Sequence, residues 1–391
     1  MSLLRVGIQK GYWKQQLTGL LCSFAAISWS MMLCAYGPAG YTGSDTDAPY
    51  SQRELQGIIT SGPPRYSASS ALLMDVDTQT LLWSDHAEQQ RAPASLTKLM
   101  TALLLLESGR DLDQVVTVSA RAATTPGSTM GLVPGARARL SDLLVGMLLP
   151  SGNDAAVAVA EAVDGTVEQF VAHMDSRGRE LGLVSTHFRN AEGLDLPGHV
   201  SSAADIARVA LLDMNYPRFN AVVRTSSLRI SAPDGTVYDL TNLNQLLGSY
   251  PGSDGVKTGT TPGAGQNLVA TVTRSGHRLL LVVMGSDDRY DDARKMLDYG
   301  WSHWQWIVPA LPPFVSISIA QTDGDAVIPL ALRSARALPL ASWRTRPLGY
   351  RLSLPGSVDA STGHLVGDVG TATVLIGDDA LAALAVGRVI P

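Results

Sequence analysis

The chain has 391 residues, 45% hydrophobic and 17% charged, with a net charge of −5 and a pI of about 5.8. That balance excludes a disordered or fibrous chain and leaves length for two or three compact domains. With no basic run or patch, it also excludes a nucleic-acid binder.

Residues 1–16 carry Arg5, Lys10 and Lys14 without an acid, and Leu17 to Tyr36 is an almost charge-free apolar stretch. A cationic flank before an apolar run is an export signal. The run also has the length to cross a bilayer. Residues 1–36 therefore read as a signal peptide or an N-terminal anchor, and any membrane attachment runs through 17–36. Cys22 and Cys34, the only cysteines, both lie in this segment. Beyond it, disulfides, cysteine nucleophiles and cysteine metal sites are excluded. Residues 37–66, rich in Gly, Pro, Ser, Thr and Asp, read as a linker.

Ala71–Val76 and Thr80–Trp83 flank Asp77-Thr78-Gln79 and predict a β-hairpin. From Ser95 to Glu107, Leu96, Leu99, Met100, Leu103 and Leu106 recur at helical spacing. Ser141 is placed as the N-cap of a helix over Leu143–Leu149. Further helices are predicted over Asp154–Val163 and Thr166–Leu181. Strands follow over Asn267–Thr273 and Leu279–Met284, then a helix over Asp288–Trp304. Strands, then helices, then strands predict an α+β architecture. Past Pro309 only β-like runs remain, at Val315–Ile319, Tyr350–Leu354 and Ala372–Ile376. The expected division is a catalytic domain over 67–308 and a small all-β domain over 309–391.

Three short segments carry chemistry. In Ser95-Leu96-Thr97-Lys98, positions i and i+3 share a helix face, so the Lys98 amine can reach the Ser95 hydroxyl. A serine needs an adjacent base to act as a nucleophile. A lysine whose pKa is depressed by burial can be that base. Alone, the pattern is weak and reads rather as a capping serine beside a solvated lysine. Ser151-Gly152-Asn153 sits between two helical runs and offers a hydroxyl and an amide, although the same triplet is ordinary loop chemistry. Lys257-Thr258-Gly259, followed by Thr260, leads into the Asn267 strand. There Lys257 supplies positive charge, Thr258 a hydroxyl, and Gly259 room for close backbone approach. An edge-strand lysine is the competing reading. S-x-x-K, S-x-N and K-T-G in this order, once each, form one acyl-transfer constellation. The chain has only five lysines, and two of them fall in these motifs.

The segments LPSGNDAAVAVAE, HFRNAEGLDLPGHVSSAADIA and DGVKTGTTPGAGQNLVATVTRSGHRLLLVVMGS resemble the D-alanyl-D-alanine carboxypeptidases among the low-molecular-mass penicillin-binding proteins. The resemblance extends over about 70–310 and, more loosely, into the tail. It implies a penicillin-binding-protein/β-lactamase-like fold and a substrate that is a peptidoglycan stem peptide ending in D-Ala-D-Ala. It implies β-lactams as covalent inhibitors, and neither cofactor nor metal. It further implies that Ser95 attacks, Lys98 takes its proton, and Ser151 and Lys257 return a proton to the leaving D-alanine. Asn153 would hold the substrate amide, and the N–H groups of Ser95 and Thr260 would form the oxyanion hole. Thr258 would grip the terminal carboxylate, with Arg289 as a second anchor.

The second motif is Ser-Gly-Asn rather than the Ser-Asp-Asn of class A β-lactamases, and no counterpart of their deacylating acid is evident. Rapid lactam hydrolysis is therefore not expected. The C-terminal LAALAVGRVIP is too short and too poor in Lys and Arg for a membrane-surface helix. A Ser-His-Asp hydrolase lacks its G-x-S-x-G elbow here, and His187 and His199 read as surface or capping residues. A zinc peptidase lacks H-E-x-x-H. An endopeptidase cutting peptidoglycan cross-links, or a penicillin-binding sensor without turnover, would share all three motifs.

Overall fold

The computed structural model describes residue 62, residues 64–311 and, beyond them, 316–319, 326–332, 336–342, 344, 348–353, 370–376 and 379–388. The expected signal or anchor at 1–36 lies outside the described residues, as does the linker up to its last few positions. The chain divides into two compact units at Ser302/His303.

The first unit is built on an antiparallel sheet in the order β2-β1-β9-β8-β7. Its strands are β1 (Ser70–Asp75), β2 (Leu81–Asp85), β7 (Ser253–Thr261), β8 (Gly265–Arg274) and β9 (His277–Ser286). The hairpin expected around residues 77–79 is β1–β2. β1 is buried along its whole length. Its alternate residues serve two faces: Leu72 and Met74 join the main helical core, while Leu73 meets the last helix of the unit close to Gly300. β7 forms one edge of the sheet, which leaves one side of its backbone unpaired by another strand.

Helix α1 (Thr97–Glu107) is buried almost all round, the pattern of a central core helix. A short helix α2 (Ala120–Ala123) follows, between strands β3 (Val115–Thr117) and β4 (Arg137–Arg139). Helix α3 spans Leu140–Leu148, beginning earlier than expected, and Ser141 does not cap it. β4 runs straight into the helix, so Arg139 holds the N-cap position. Asp142 Oδ2 accepts from the Arg139 N–H at 3.2 Å, while the Ser141 N–H donates to Leu112 O at 2.8 Å. Helix α4 covers Asn153–Asp164 and α5 covers Val167–Glu180, the latter capped by Thr166.

Helix α6 (Ala203–Asp213) packs across β9 and β1, and α7 (Pro217–Val223) against β7. Sequence reading had not placed α6, although Ser202 and Asp205 form its start: the Asp205 N–H donates to Ser202 Oγ at 3.2 Å. The hairpin β5 (Ser227–Ser231) to β6 (Val237–Thr241) also went unseen. β5 is mostly exposed, and β6 buries Tyr238 and Leu240 in alternation over only five residues. Helix α8 (Arg289–His303) completes the unit. Its Asp292 carboxylate accepts from the Ser67 and Ala68 N–H groups, each at 2.9 Å, and ties the incoming chain to the helix.

The second unit is all-β in its described parts, as expected. Strands β11 (Ser316–Ile319), β12 (Ala326–Leu332), β14 (Leu348–Ser353), β15 (Gly370–Ile376) and β16 (Asp379–Arg388) pair in the order β11-β12-β16-β15-β14. β10 (Trp304–Ile307) pairs with β13 (Leu338–Ala341).

One buried group makes the first unit pH-sensitive. Asp213, at the end of α6, is fully buried, and neither carboxylate oxygen has a hydrogen-bond partner among the described residues. Burial, reinforced by the Glu107 charge, pushes its pKa well above the usual carboxylate range. The unfolded chain ionises this group from about pH 4 upward, whereas the native state retains the proton. Stability therefore falls as pH rises from about 4 towards the raised native pKa, by ~1.4 kcal/mol per pH unit. Asp213→Asn should melt at a higher temperature than the parent at pH 8, with the gap narrowing towards pH 4 in thermal denaturation. A gap independent of pH would mean that Asp213 is ionised in the fold.

Candidate active site

The turn that presents Ser95 is held from several sides. Ala94 to Leu96 form a single 3-10 turn ahead of α1, with Ala94 at φ +49°. An alanine there is held by its surroundings. Asn267 Nδ2 donates to the carbonyls of Ala92 and Pro93 at 3.0 and 3.1 Å. Thr97 Oγ1 donates to Ala94 O at 2.8 Å. A side chain at Gly193 would put its Cβ 2.0 Å from Ala94 O, so only glycine fits against the turn.

His199 completes this support and corrects the expectation of a surface or capping histidine. It is 3% exposed. Its Nδ1 accepts from the Arg189 N–H at 2.9 Å, so its Nε2 carries the proton and donates to Thr97 Oγ1 at 2.8 Å. Burial lowers its pKa to about 4, keeping the ring neutral and the tautomer fixed. Its partners are distant in sequence, and no local pattern marks them. His187, by contrast, is half-exposed and pairs with Asp175 at 2.9 Å.

Lys98 is fully buried, and its Nζ makes three hydrogen bonds: to Ser95 Oγ at 2.8 Å, Asn153 Oδ1 at 2.7 Å and Glu192 O at 2.6 Å. Burial lowers its pKa to about 7, against the opposing charges of Glu192 and Asp154. A neutral amine has two hydrogens and one lone pair. The amide oxygen of Asn153 and the carbonyl of Glu192 can only accept, so they take the two hydrogens. The lone pair is left facing Ser95 Oγ, the only partner with a proton to give. Burial thus makes Lys98 a base near neutral pH, and its neighbours orient it.

Asn153 opens α4 and is nearly buried; besides taking the Lys98 hydrogen, its Nδ2 donates to Pro126 O at 2.6 Å. One amide hydrogen remains for a ligand. Asp154, next in sequence, fastens the facing loop: its carboxylate accepts from the N–H groups of Met130, Gly131 and Leu132 at 2.9, 3.0 and 2.9 Å. Sequence reading had missed this role. Ser151 precedes the helix at φ +64°, buried, with no hydrogen-bond partner for its hydroxyl among the described residues.

Lys257, Thr258 and Gly259 lie on the edge strand β7, paired with β8 so that Gly259 faces Asn267. Lys257 is buried and, among the described residues, donates only to Thr258 O, at 3.0 Å. Burial, then the charges of Lys98 and Arg289, push its pKa well below the usual lysine value. Its other hydrogens and the Ser151 hydroxyl have no partner among the described residues. The room that Gly259 provides is for the chain itself. A Cβ there would sit 3.1 Å from Pro93 O and from the Ser95 nitrogen, so glycine lets β7 pass against the nucleophile's turn. Arg289, at the start of α8, is half-buried. It donates to the carbonyls of Gly259 and Asn267, each at 2.9 Å, to Gln266 Oε1 at 3.0 Å and to Thr260 Oγ1. Its fork is thus set over the β7–β8 ladder beside Thr260.

Ser95, Lys98, Asn153 and Glu192 meet directly, while Lys257, Thr258, Gly259, Thr260 and Arg289 line the adjoining edge of β7. Among the described residues no group of His, Cys, Asp or Glu is placed to hold a metal ion. The arrangement can deprotonate a serine and present it beside an open strand edge.

Residues 58–288 match the model of peptidase family S11, D-alanyl-D-alanine carboxypeptidase. The chain is 36% identical over 247 residues to the D-alanyl-D-alanine carboxypeptidase DacF of Bacillus subtilis; the match covers 61% of this chain and 64% of that relative. It is 39% identical over 255 residues to DacD of Escherichia coli, again covering 61% and 64%. The chain thus matches a little under two thirds of the length of these relatives. Among solved structures it resembles a DD-transpeptidase of Streptomyces K15, at 31% identity and a TM-score of 0.59, covering 62% of this chain and 99% of that one. Penicillin binding protein 6B of Escherichia coli is also similar, at 31% identity and a TM-score of 0.66, covering 83% and 96%.

Proposed function

Because the chain belongs to the D-alanyl-D-alanine carboxypeptidase family, we propose that it is a serine-type D,D-carboxypeptidase removing the terminal D-alanine from peptidoglycan stem pentapeptides. The observation that carries this reading is the Lys98 amine, buried, 2.8 Å from Ser95 Oγ, with its other two bonds made to groups that only accept.

The substrate lies along the free edge of β7 as an added strand. Ser95 Oγ attacks the carbonyl carbon of the penultimate D-alanine while its proton passes to Lys98 Nζ. The N–H groups of Ser95 and Thr260 hold the oxyanion, an arrangement worth ~3 kcal/mol per donor in other acyl-transfer enzymes. The C–N bond breaks, and the amine of terminal D-alanine leaves with a proton relayed through Ser151 and Lys257. Water then cleaves the ester, returning the hydroxyl to Ser95 and freeing the shortened peptide. Asn153 holds the substrate amide, and Thr258 and Arg289 receive the terminal carboxylate. A β-lactam follows the same first step, but its opened ring stays attached and leaves a stable acyl-enzyme.

The enzyme works outside the cytoplasm, in the periplasm or at the outer face of the membrane, with residues 17–36 as export signal or anchor. Among the described residues no helix is long and apolar enough to cross a membrane, and the apolar segment lies outside them.

Incubation with a stem pentapeptide and, separately, with a cross-linked dimer peptide tests the reading by mass spectrometry. The expected product is free D-alanine from the pentapeptide. Cleavage of the dimer alone would make the enzyme an endopeptidase. Labelling by benzylpenicillin without any product would make it a sensor.

A further inference from the structure

Asp154 is fully buried in the first turn of α4. Its carboxylate gathers five donors, and each of them is neutral. Oδ1 accepts from the Met130 and Ala155 N–H groups, each at 2.9 Å. Oδ2 accepts from Thr129 Oγ1 at 2.5 Å and from the Gly131 and Leu132 N–H groups at 3.0 and 2.9 Å. Neutral donors stabilise an anion without cancelling its charge. The loop so clamped supplies Ser128 O to the Asn153 N–H at 2.7 Å and Pro126 O to Asn153 Nδ2 at 2.6 Å. With Nδ2 turned to Pro126, the amide oxygen is left for Lys98 Nζ, at 2.7 Å. Two glycines make room for this arrangement. A Cβ at Gly127 would lie 2.7 Å from Asn153 Nδ2, and one at Gly152 would lie 2.7 Å from Asp154 Oδ1. The middle of the Ser151-Gly152-Asn153 motif is glycine because the Asp154 carboxylate takes the space of a side chain.

The same carboxylate acts on Lys98 through a poorly screened interior. Burial disfavours the charged amine, and the anions Glu192 and Asp154 oppose it. Lys257, on β7, is the cation on the other side. The remaining helices packed against α1 direct their charges elsewhere. Asp142 on α3 pairs with Arg139, and Arg177 on α5 pairs with Glu107. Asp205 on α6 accepts from the Ser185 N–H, and Asp213 lies towards Glu107 at the far end of α1. Of the two anions near Lys98, Asp154 is the one built into the clamp that aims the Asn153 oxygen.

We propose that Asp154 is a positioning residue for the catalytic base: its clamp on the loop over 126–132 presents the Asn153 oxygen to Lys98, and its buried charge sets the pH range in which the enzyme acylates. It touches neither substrate nor nucleophile and acts through Asn153 and Lys98. The inference rests on the reading of Lys98 as the base of a serine carboxypeptidase.

Benzylpenicillin acylation rates from pH 5 to pH 9 test this on the parent, Asp154→Asn and Asp154→Glu. Each profile is divided by its own plateau, so a general loss of activity cancels. Removing the anion disfavours the protonated amine, and the neutral amine is the competent form, so the limb should move to lower pH. In Asp154→Asn it should lie about one pH unit below that of the parent. At pH 6 that variant would reach about half of its plateau, and the parent about a tenth. Asp154→Glu keeps the charge but misplaces the loop. Its plateau should drop by about tenfold, with the limb where the parent has it. Asp154→Ser supplies a second uncharged side chain, smaller and with an oxygen that can accept from the loop, and melting profiles report the fold of each variant. An uncharged variant whose limb stays with that of the parent would overturn the assignment, reducing Asp154 to a support of the loop. A limb that moves as far in Asp154→Glu as in Asp154→Asn would do so too. A parent acylated without any limb near pH 7 would instead remove Lys98 as the base, and a parent that is not acylated at all would remove the carboxypeptidase reading.

Discussion

Ser95→Ala is expected to lose D-alanine release by at least about 10⁴-fold and to lose covalent benzylpenicillin labelling altogether. The two readouts fail for one reason: alanine has no atom to form the acyl bond. The loss is not expected to come from unfolding. Among the described residues, the only hydrogen bond of Ser95 Oγ is the one shared with Lys98 Nζ. The turn that carries Ser95 is fixed by Asn267, Thr97 and the close pass of Gly259, none of which uses the hydroxyl. Deleting the hydroxyl leaves the Lys98 amine with two of its three partners. Intact-protein mass spectrometry after penicillin treatment, together with an unchanged melting profile, checks both halves. Labelling that survives in Ser95→Ala would move the nucleophile elsewhere and remove the basis of the assignment.

The parts of this site that were legible in the sequence are those whose chemistry is local. Ser95 and Lys98 are one turn apart, so a helical period alone brings them together. Lys257 to Gly259 could be placed on a strand because an apolar run follows. The α+β order was readable for the same reason, since each long element carries its own period. What sequence reading did not reach is the layer that acts at a distance. His199 supports the Ser95 turn through Thr97, yet in sequence it is a lone histidine in a loop between Gly198 and Val200. Asn267 reads as the first residue of a strand, and nothing near it shows that its amide holds the carbonyls of Ala92 and Pro93. Gly259 was read as letting a substrate backbone approach the strand, and nothing near it in sequence shows that the chain's own turn also lies 3.1 Å from where its Cβ would be. Ser141 was given a cap because serine favours that position; β4 overrode the preference by delivering the chain directly into the helix at Arg139.

Lys98→Arg should lower kcat/KM by about 10³-fold even though it conserves charge, because the proposed role needs a group that can give up its proton. Lys98 is held near a pKa of about 7 by burial, so the form with a free lone pair is well populated at neutral pH. Guanidinium stays charged and carries no usable lone pair, and its fork does not match the three partners gathered around a single amine nitrogen. The pH dependence follows with a definite sign. The competent form is the neutral amine, so acylation should rise with pH through about 7 and level off above it. Below that value the proton occupies the lone pair facing Ser95. In Lys98→Arg this limb should vanish along with most of the rate, since no group at that position titrates in the range. Measuring benzylpenicillin acylation rates from pH 5 to pH 9 on both proteins separates the alternatives. A variant within tenfold of the parent, or one that keeps the limb near 7, would make Lys98 a structural cation and shift the base to Lys257. Lys257 is buried too, and its pKa is also lowered. Its amine donates to the Thr258 carbonyl rather than to the nucleophile. The difference between the two lysines therefore lies in where the lone pair points, and Lys98 is the one aimed at Ser95.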